Sequence, residues 1–437
     1  MTQKPPPRRT SSTSGQTNPS KKSNPSPQPS RATSSSRSSS STSANPQLPN
    51  LSNLSKLKLP GGGFSTGCLV IVGLIALCLI GGFLALNFNE LLGDDPATRA
   101  PITPGSTRVT GGQPPGSGPA DWYQIYFTEA TCPSVGNQIG GLDEIIADTI
   151  RQAQVSVDMA IYELNSQPIT DALISARRRN VPVRVVIDSD YEDKPSIAQL
   201  RQNGITVVTD SRTAFMHNKF TIIDGRYVWT GSMNYMPNDI FCNNNNLVWF
   251  DSTQLAANYT AEMNEMFVEG NFGPRSPVNT PFEQFTHNGV MIENYFSPET
   301  RVAPIIGELV RQAQNEILFL AFSFTHEDVG EAMLERAEAG VRVQGVFERT
   351  GSEQPFSYFS IMREENLPTI QIRQDGNPRT MHHKVIILDR QTVIFGSFNF
   401  SANANNSNDE NTVVVHDATF ANFFVEEFFR VWDAARQ

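Results

Sequence analysis

The sequence predicts an α/β protein of two pseudo-symmetric lobes, each a mixed sheet covered by helices, behind a disordered tail and one transmembrane helix. An internal repeat, an alternation of helix and strand patterns inside each copy, and a change of composition near residue 65 carry that expectation. With 437 residues the chain can hold two or three ordinary domains, which excludes a small disulfide scaffold.

Residues 1–65 hold nine Lys or Arg and no Asp or Glu, and 33 of the first 60 residues are Ser, Thr or Pro. Almost nothing there can form a buried face, so a disordered basic tail is expected. Residues 66–86 read TGCLVIVGLIALCLIGGFLAL without a charge, matching the roughly 20 residues that cross a bilayer as a helix. A cleavable signal peptide would begin near residue 1 and carry a shorter apolar run. Lys56 and Lys58 precede the run and Glu90, Asp94 and Asp95 follow it. The positive-inside rule then predicts a single-pass membrane protein with a cytoplasmic N-terminus and an extracytoplasmic catalytic region. Residues 87–121 are rich in Pro, Gly and Thr and are expected to be a flexible linker.

The two lobes are assigned to 122–285 and 286–437. A shift of 165 residues lays MHNKFTIIDGRYVWTGSMN at 216–234 on MHHKVIILDRQTVIFGSFN at 381–399 without a gap, and nine of the nineteen positions are identical. In the first copy LDEIIADTIRQAQ and QPITDALISARRR have helical spacing, while VSVDMAIYEL, VPVRVVIDSD, ITVVTD, KFTIID, YVWTGS and NLVWF are β-rich runs. A closing helix is expected over 253–268. Packed about a pseudo-twofold, such copies would bring equivalent loops to one cleft.

Along an extended strand residues i and i+2 share a face, so His217 projects with Lys219 and His382 with Lys384. Beyond residue 60 only Lys194, Lys219 and Lys384 are lysines, and two of the three fall at equivalent places in the copies. A core histidine beside a solvent-reaching lysine has no reason to recur in both copies. Cationic donors that converge suit an anion whose charge grows in the transition state, and a phosphodiester fits. One neutral imidazole can attack while the other, protonated, gives a proton to the leaving oxygen. Metal ligation is the rival use of histidine, but His382 and His383 point to opposite faces and no zinc-spaced ligand set accompanies them, so neither metal nor cofactor is expected. No GxSxG elbow or P-loop is present.

At these residues the chain resembles the phospholipase D superfamily, whose hallmark is a duplicated HxKxxxxD followed by GSxN. The marks are His217, Lys219, Asp224 with Gly231, Ser232, Asn234, and His382, Lys384, Asp389 with Gly396, Ser397, Asn399. The resemblance covers about 122–437. It implies two α/β/α sandwich lobes with the site at their interface, and metal-independent cleavage of a phosphodiester through a phosphohistidine. His217, Lys219, Asp224, His382, Lys384 and Asp389 are then the catalytic set, the aspartates supporting the site without touching phosphate. Asn234, Asn399, Ser232 and Ser397 are the substrate-binding set. The family often orients a motif histidine with a carboxylate; Glu410 looks like it in the second copy, where the first has Asn245. A carboxylate neighbour favours imidazolium, so Glu410 is expected to hold His382 as the general acid and leave His217 as the nucleophile.

The family includes phospholipases, phosphatidyl-transferring synthases and nucleases, and SFNFSANANNSNDEN at 397–411 looks particularly like its compact bacterial nucleases. Outside the tail, however, 25 basic residues face 44 acidic ones, a poor balance for neutralising nucleic-acid phosphates. The expected partner is therefore a phospholipid, with nucleic acid as the alternative substrate and phosphatidyl transfer as the alternative reaction. Both motifs lie in one chain, so a monomer suffices. Beyond the apolar run only Cys132 and Cys242 occur; they could pair outside the cytoplasm, or stand as two buried thiols.

Overall fold

The computed structural model describes residues 121–436. The tail, the apolar run and most of the linker lie outside the described residues, and among the described residues no helix is long and apolar enough to cross a membrane.

In chain order the elements are β1 (Tyr123–Phe127), α1 (Leu142–Gln152), β2 (Val157–Ile161), α2 (Gln167–Arg178), β3 (Val183–Ile187), α3 (Pro195–Gln202), β4 (Thr206–Thr209), β5 (Lys219–Ile223), β6 (Tyr227–Gly231), α4 (Pro237–Phe241), β7 (Asn246–Asp251) and α5 (Thr253–Asn264). There follow β8 (Gln284–His287), β9 (Val290–Ser297), α6 (Val302–Arg311), β10 (Glu316–Ala321), α7 (Glu327–Glu338), β11 (Arg342–Phe347), α8 (Tyr358–Glu365), β12 (Ile370–Gln374), β13 (Lys384–Leu388), β14 (Thr392–Gly396), α9 (Ala402–Asn406), β15 (Glu410–His416) and α10 (Ala418–Ala434).

The strands form two mixed sheets, one of seven strands in the order β1-β7-β6-β5-β2-β3-β4 and one of eight in the order β12-β11-β10-β13-β14-β15-β9-β8. β2, β3 and β4 run parallel, as do β10, β11 and β12, and the remaining pairs are antiparallel. β1 to β7 thus reappear as β9 to β15, the spatial form of the sequence repeat. β8 has no counterpart; it straddles the 285/286 division drawn from the repeat and pairs with β9 in the second sheet.

The period-2 alternation decides which core each strand feeds. Ala160, Phe220, Val228 and Phe250 of the first sheet join Leu318, Val385, Val393 and Phe395 of the second in one core with Tyr259 of α5 and Phe420, Phe424 and Phe428 of α10. The intervening residues Met159, Ile161, Trp229 and Trp249 pack under α1, α2 and α3. Phe319, Ile386 and Ile394 do the same under α6, α7 and α8. The closing helices are therefore shared filling between the lobes. Each large apolar side chain buried there contributes about 1.5–3 kcal/mol, which fixes the two sheets against each other and the ends of β5 and β13 with them.

Cys132 and Cys242 are joined as a disulfide across 110 residues. The bond ties the loop after β1 to the end of α4, directly before Asn243, Asn244 and Asn245.

Candidate active site

β5 and β13 start at the motif lysines, so each motif histidine lies two residues before a strand. The segments carrying those histidines pair across the lobes. Met216 bridges to Asp409 and Met381 to Asn244 in parallel register. His217 N donates to Asp409 O at 2.9 Å, and His382 N donates to Asn244 O at 2.9 Å. One residue further on, this register sets His217 beside Glu410 and His382 beside Asn245.

His217 Nδ1 stands 2.7 Å from Glu410 Oε2, and His382 Nδ1 stands 2.9 Å from Asn245 Oδ1. The expectation that Glu410 holds His382 is therefore overturned, and the roles drawn from it, His382 as acid and His217 as nucleophile, no longer follow from that pairing. Reading along one copy pairs a histidine with the carboxylate of its own lobe, whereas the inter-lobe bridges hand each one to the other lobe. Glu410 is fixed in turn by Ser397 Oγ at 2.7 Å and by Asn408 Nδ2 at 3.3 Å. Ser232 Oγ likewise donates to Asn245 Oδ1 at 2.9 Å. Ser232 and Ser397 are fully buried, and their hydroxyls are turned toward Asn245 and Glu410, whose side chains they position.

Lys219 Nζ donates to His217 O at 2.8 Å and Lys384 Nζ to His382 O at 2.7 Å. Their ammonium groups lie over the rings of Tyr162 and Phe322, and the same rings meet His217 and His382 edge-on at 4.9 Å. Asn234 and Asn399 follow the Gly-Ser pairs that end β6 and β14, and their Oδ1 atoms are buried without a hydrogen-bond partner among the described residues. Gly231 and Gly396, at φ 149° and 150°, let those loops pass the opposite strand: an added Cβ would lie 2.4 Å from Asn246 O or 2.3 Å from Asn411 O.

The motif aspartates are elsewhere. Asp224 follows the far end of β5, seven residues beyond His217, about 23 Å along an extended chain. Its carboxylate accepts the backbone N–H groups of Gln154, Val155 and Ser156. Asp389 accepts those of Gln314, Asn315 and Glu316. Both residues sit at positive φ in the turns after their strands, where Asp is tolerated. In the structure each clamps a turn to the neighbouring strand's entry.

Burial, with Lys219 and Lys384 close by, holds His217 well below the ordinary imidazole range. Burial, Lys384, Lys219 and His217 do the same to His382. His217 thus feels Lys384 and His382 feels Lys219 from the opposite lobe, and both rings are neutral near pH 7. Burial pushes the Lys219 ammonium down to about 8 and Lys384 well below its usual value. Burial raises Glu410 to about 8, against the pull of Lys219, Ser397 and Asn408. Glu410, Asp239, Asp188 and Glu163 oppose the lowering at Lys219, and Glu410, Asp239 and Glu348 oppose it at Lys384.

Behind the histidines a second layer repeats the symmetry. Asn218 Nδ2 donates to Glu262 Oε1 at 2.7 Å and Asn411 Nδ2 to Asn218 Oδ1 at 3.0 Å. In the other half His383 stands 2.9 Å from Glu427 Oε1 and 3.0 Å from Asn246 Nδ2. Glu262 and Glu427 are themselves 165 residues apart, a signal the repeat contained. A further buried carboxylate, Asp239 on α4, lies 3.4 Å from His382 Nδ1. The repeat could not reveal it, because Ala404 stands at the matching position. Among the described residues no three His, Cys, Asp or Glu side chains are grouped so as to hold a metal ion.

The family model described as "Cardiolipin synthase, PLD-like domain" matches residues 146–267 and again 306–432. A mitochondrial cardiolipin hydrolase of Xenopus laevis is 34% identical over 27% of this chain and 57% of its own length. A phospholipase D of Rickettsia bellii is 29% identical over 31% of this chain and 67% of its own length. The chain therefore spans little more than half of the first of these relatives. Among solved structures, phosphatidylserine synthase of Haemophilus influenzae superposes with a TM-score of 0.56 at 14% identity, covering 71% of this chain and 86% of its own. That likeness is one of fold.

Proposed function

The chain belongs to the phospholipase D superfamily, and from that membership we propose that it is a phospholipase D-type phosphodiesterase that hydrolyses phospholipid head-group esters through a phosphohistidine. The observation that carries the reading is the crossed pairing of His217 with Glu410 and of His382 with Asn245, which brings two neutral imidazoles and the two motif lysines together across the lobes. With Glu410 accepting from Nδ1–H, the His217 Nε2 lone pair is free to attack phosphorus. A P–N bond forms as the P–O bond to the leaving group breaks, and His382 gives that oxygen a proton. Burial, Lys384 and Lys219 keep His382 neutral in the free site; the bound diester's negative charge favours its taking a proton from solvent, and that proton is the one the leaving oxygen receives. Water then attacks the phosphohistidine, His382 takes its proton, and the phosphate product leaves with His217 restored. Lys219, Lys384, Asn234 and Asn399 hold the non-bridging oxygens.

A lipid is favoured over a nucleic acid by the surroundings of the cleft. Phe215, 39% exposed, reaches Tyr162 at 5.3 Å and His217 at 6.4 Å. Lys194 is tied to Glu163 at 2.9 Å and Arg212 to Asp409 and Asp210, so these cations are spent on carboxylates. Anchoring by residues 66–86, with the catalytic region outside the cytoplasm, belongs to the same proposal and would hold the enzyme beside its substrate.

The test is turnover, in EDTA, of a chromogenic phosphodiester, phosphatidylcholine vesicles and single-stranded DNA, with and without a primary alcohol. Release of head group from the vesicles is the expected result. Cleavage of DNA alone makes the enzyme a nuclease, transfer to the alcohol without hydrolysis makes it a phosphatidyltransferase, and abolition by EDTA with rescue by a divalent ion defeats the mechanism.

A further inference from the structure

The two histidines do not receive equal support from their direct partners: His217 has the Glu410 carboxylate, His382 an amide. Yet a leaving alkoxide needs its proton from a ring that can carry positive charge, and an amide oxygen supplies only part of the field a carboxylate does. Position 245, where the repeat calls for a carboxylate, holds Asn.

The missing charge is present six residues upstream. Asp239 lies on α4, 3% exposed, with Oδ1 3.4 Å from His382 Nδ1. The same oxygen accepts from Asn245 Nδ2 at 3.1 Å, and Asp239 O accepts from that Nδ2 at 3.1 Å. With its amide nitrogen committed to Asp239, Asn245 can present only its oxygen to His382, as it does at 2.9 Å. Oδ2 of Asp239 faces Asn234 Nδ2 at 3.5 Å, so the carboxylate also touches a group of the substrate-binding set. Burial pushes Asp239 up to about 6, with Asn245 and Lys219 pulling it down, so it is ionised at pH 7.

We propose that Asp239 is the positioning residue of the general acid: it replaces the carboxylate lost at position 245, orients Asn245 and His382, and supports the imidazolium that protonates the leaving oxygen. The inference rests on the phosphodiesterase reading. It restores functional symmetry to the site, since each histidine is then backed by a carboxylate of the opposite lobe, one directly and one through an amide.

The experiment compares an alkyl phosphodiester, whose leaving group needs a proton, with a 4-nitrophenyl diester, whose leaving group does not. Asp239→Asn is expected to slow the alkyl ester about tenfold to a hundredfold and the nitrophenyl ester less than about threefold. Adding Asn245→Glu, which puts a carboxylate where Glu410 sits in the other half, is expected to recover most of the alkyl-ester rate. In a His382→Ala background Asp239→Asn is expected to cost nothing further. Equal slowing of both esters, an unchanged alkyl-ester rate, or no recovery with Asn245→Glu in a double variant that melts like wild type, would overturn the proposal. If the wild-type protein turns over neither ester, the phosphodiesterase reading falls and this inference with it. If it turns over both but the variant shows no split, only the role of Asp239 falls.

Discussion

Glu410 of the second lobe holds His217 of the first, carboxylate Oε2 to imidazole Nδ1 at 2.7 Å, across the seam between two copies of one fold. Neither copy can build this pair alone, which ties catalysis to the docking of the lobes.

Glu410→Gln keeps the shape and removes the charge that selects the Nδ1–H form of His217. Because burial sets Glu410 near 8, the ionised form gains population as pH rises toward that value. The variant should lose about 10²- to 10⁴-fold in kcat at pH 8 and proportionally less at pH 6, where the wild-type carboxyl is already protonated. A pH–rate profile of both proteins checks this; a loss independent of pH contradicts it.

Asp224, beyond the far end of β5 from His217, answers three backbone N–H groups. Asp224→Ala should cost about 2 kcal/mol of stability and leave kcat of the folded enzyme within about twofold. Denaturant unfolding with active-site titration measures both, and a large kcat loss at unchanged stability would return this residue to the catalytic set.

The sequence made the repeat legible because nine identities survive at a fixed offset over 216–234 and 381–399: His, Lys, Asp, Gly, Ser and Asn at site or turn positions, and Met, Ile and Val in the core between the lobes. The strands followed from their β-rich runs and the closing helices from helical spacing. Partner choice was not legible. Glu410 and His382 share a copy, and only the bridge between Met216 and Asp409 sends Glu410 to the other histidine. Ser232 and Ser397 carry motif status yet face inward, and nothing in composition distinguishes a serine that grips a carboxylate from one that grips phosphate. Asp239 was hidden for the opposite reason, having no counterpart to repeat.

Glu262, 2% exposed, is held well above the ordinary carboxyl range by burial and by the charges of Glu299, Glu265 and Asp409. Its folded value exceeds its unfolded one, so the folded state binds the extra proton and stability falls as pH climbs above about 4.5. Glu262→Gln keeps the acceptor for Asn218 and removes the penalty. Its Tm relative to wild type should be higher at pH 8 than at pH 5.5; an equal difference at both would contradict the assignment.

The Cys132–Cys242 bond spans 110 residues, and a loop of that size stabilises by up to about 4.7 kcal/mol on a chain-entropy account, commonly 2–4 in practice. The Cys132→Ser, Cys242→Ser double variant should melt lower than the oxidised protein and match wild type in dithiothreitol. Coincident melting of oxidised and reduced wild type would contradict the bond's role.

The division of labour between the histidines is the centre of the account. Rapid acid-free denaturation during turnover, followed by peptide mass spectrometry under conditions that preserve phosphoramidates, locates the intermediate. The His382→Ala variant with a 4-nitrophenyl ester allows the adduct to accumulate, since departure needs no proton while hydrolysis of the intermediate lacks its base. A substrate-derived phosphoryl group is expected on His217, and none on that variant once His217→Ala is added; an adduct on His382 of the wild-type enzyme, or turnover by His217→Ala, would contradict this division of roles.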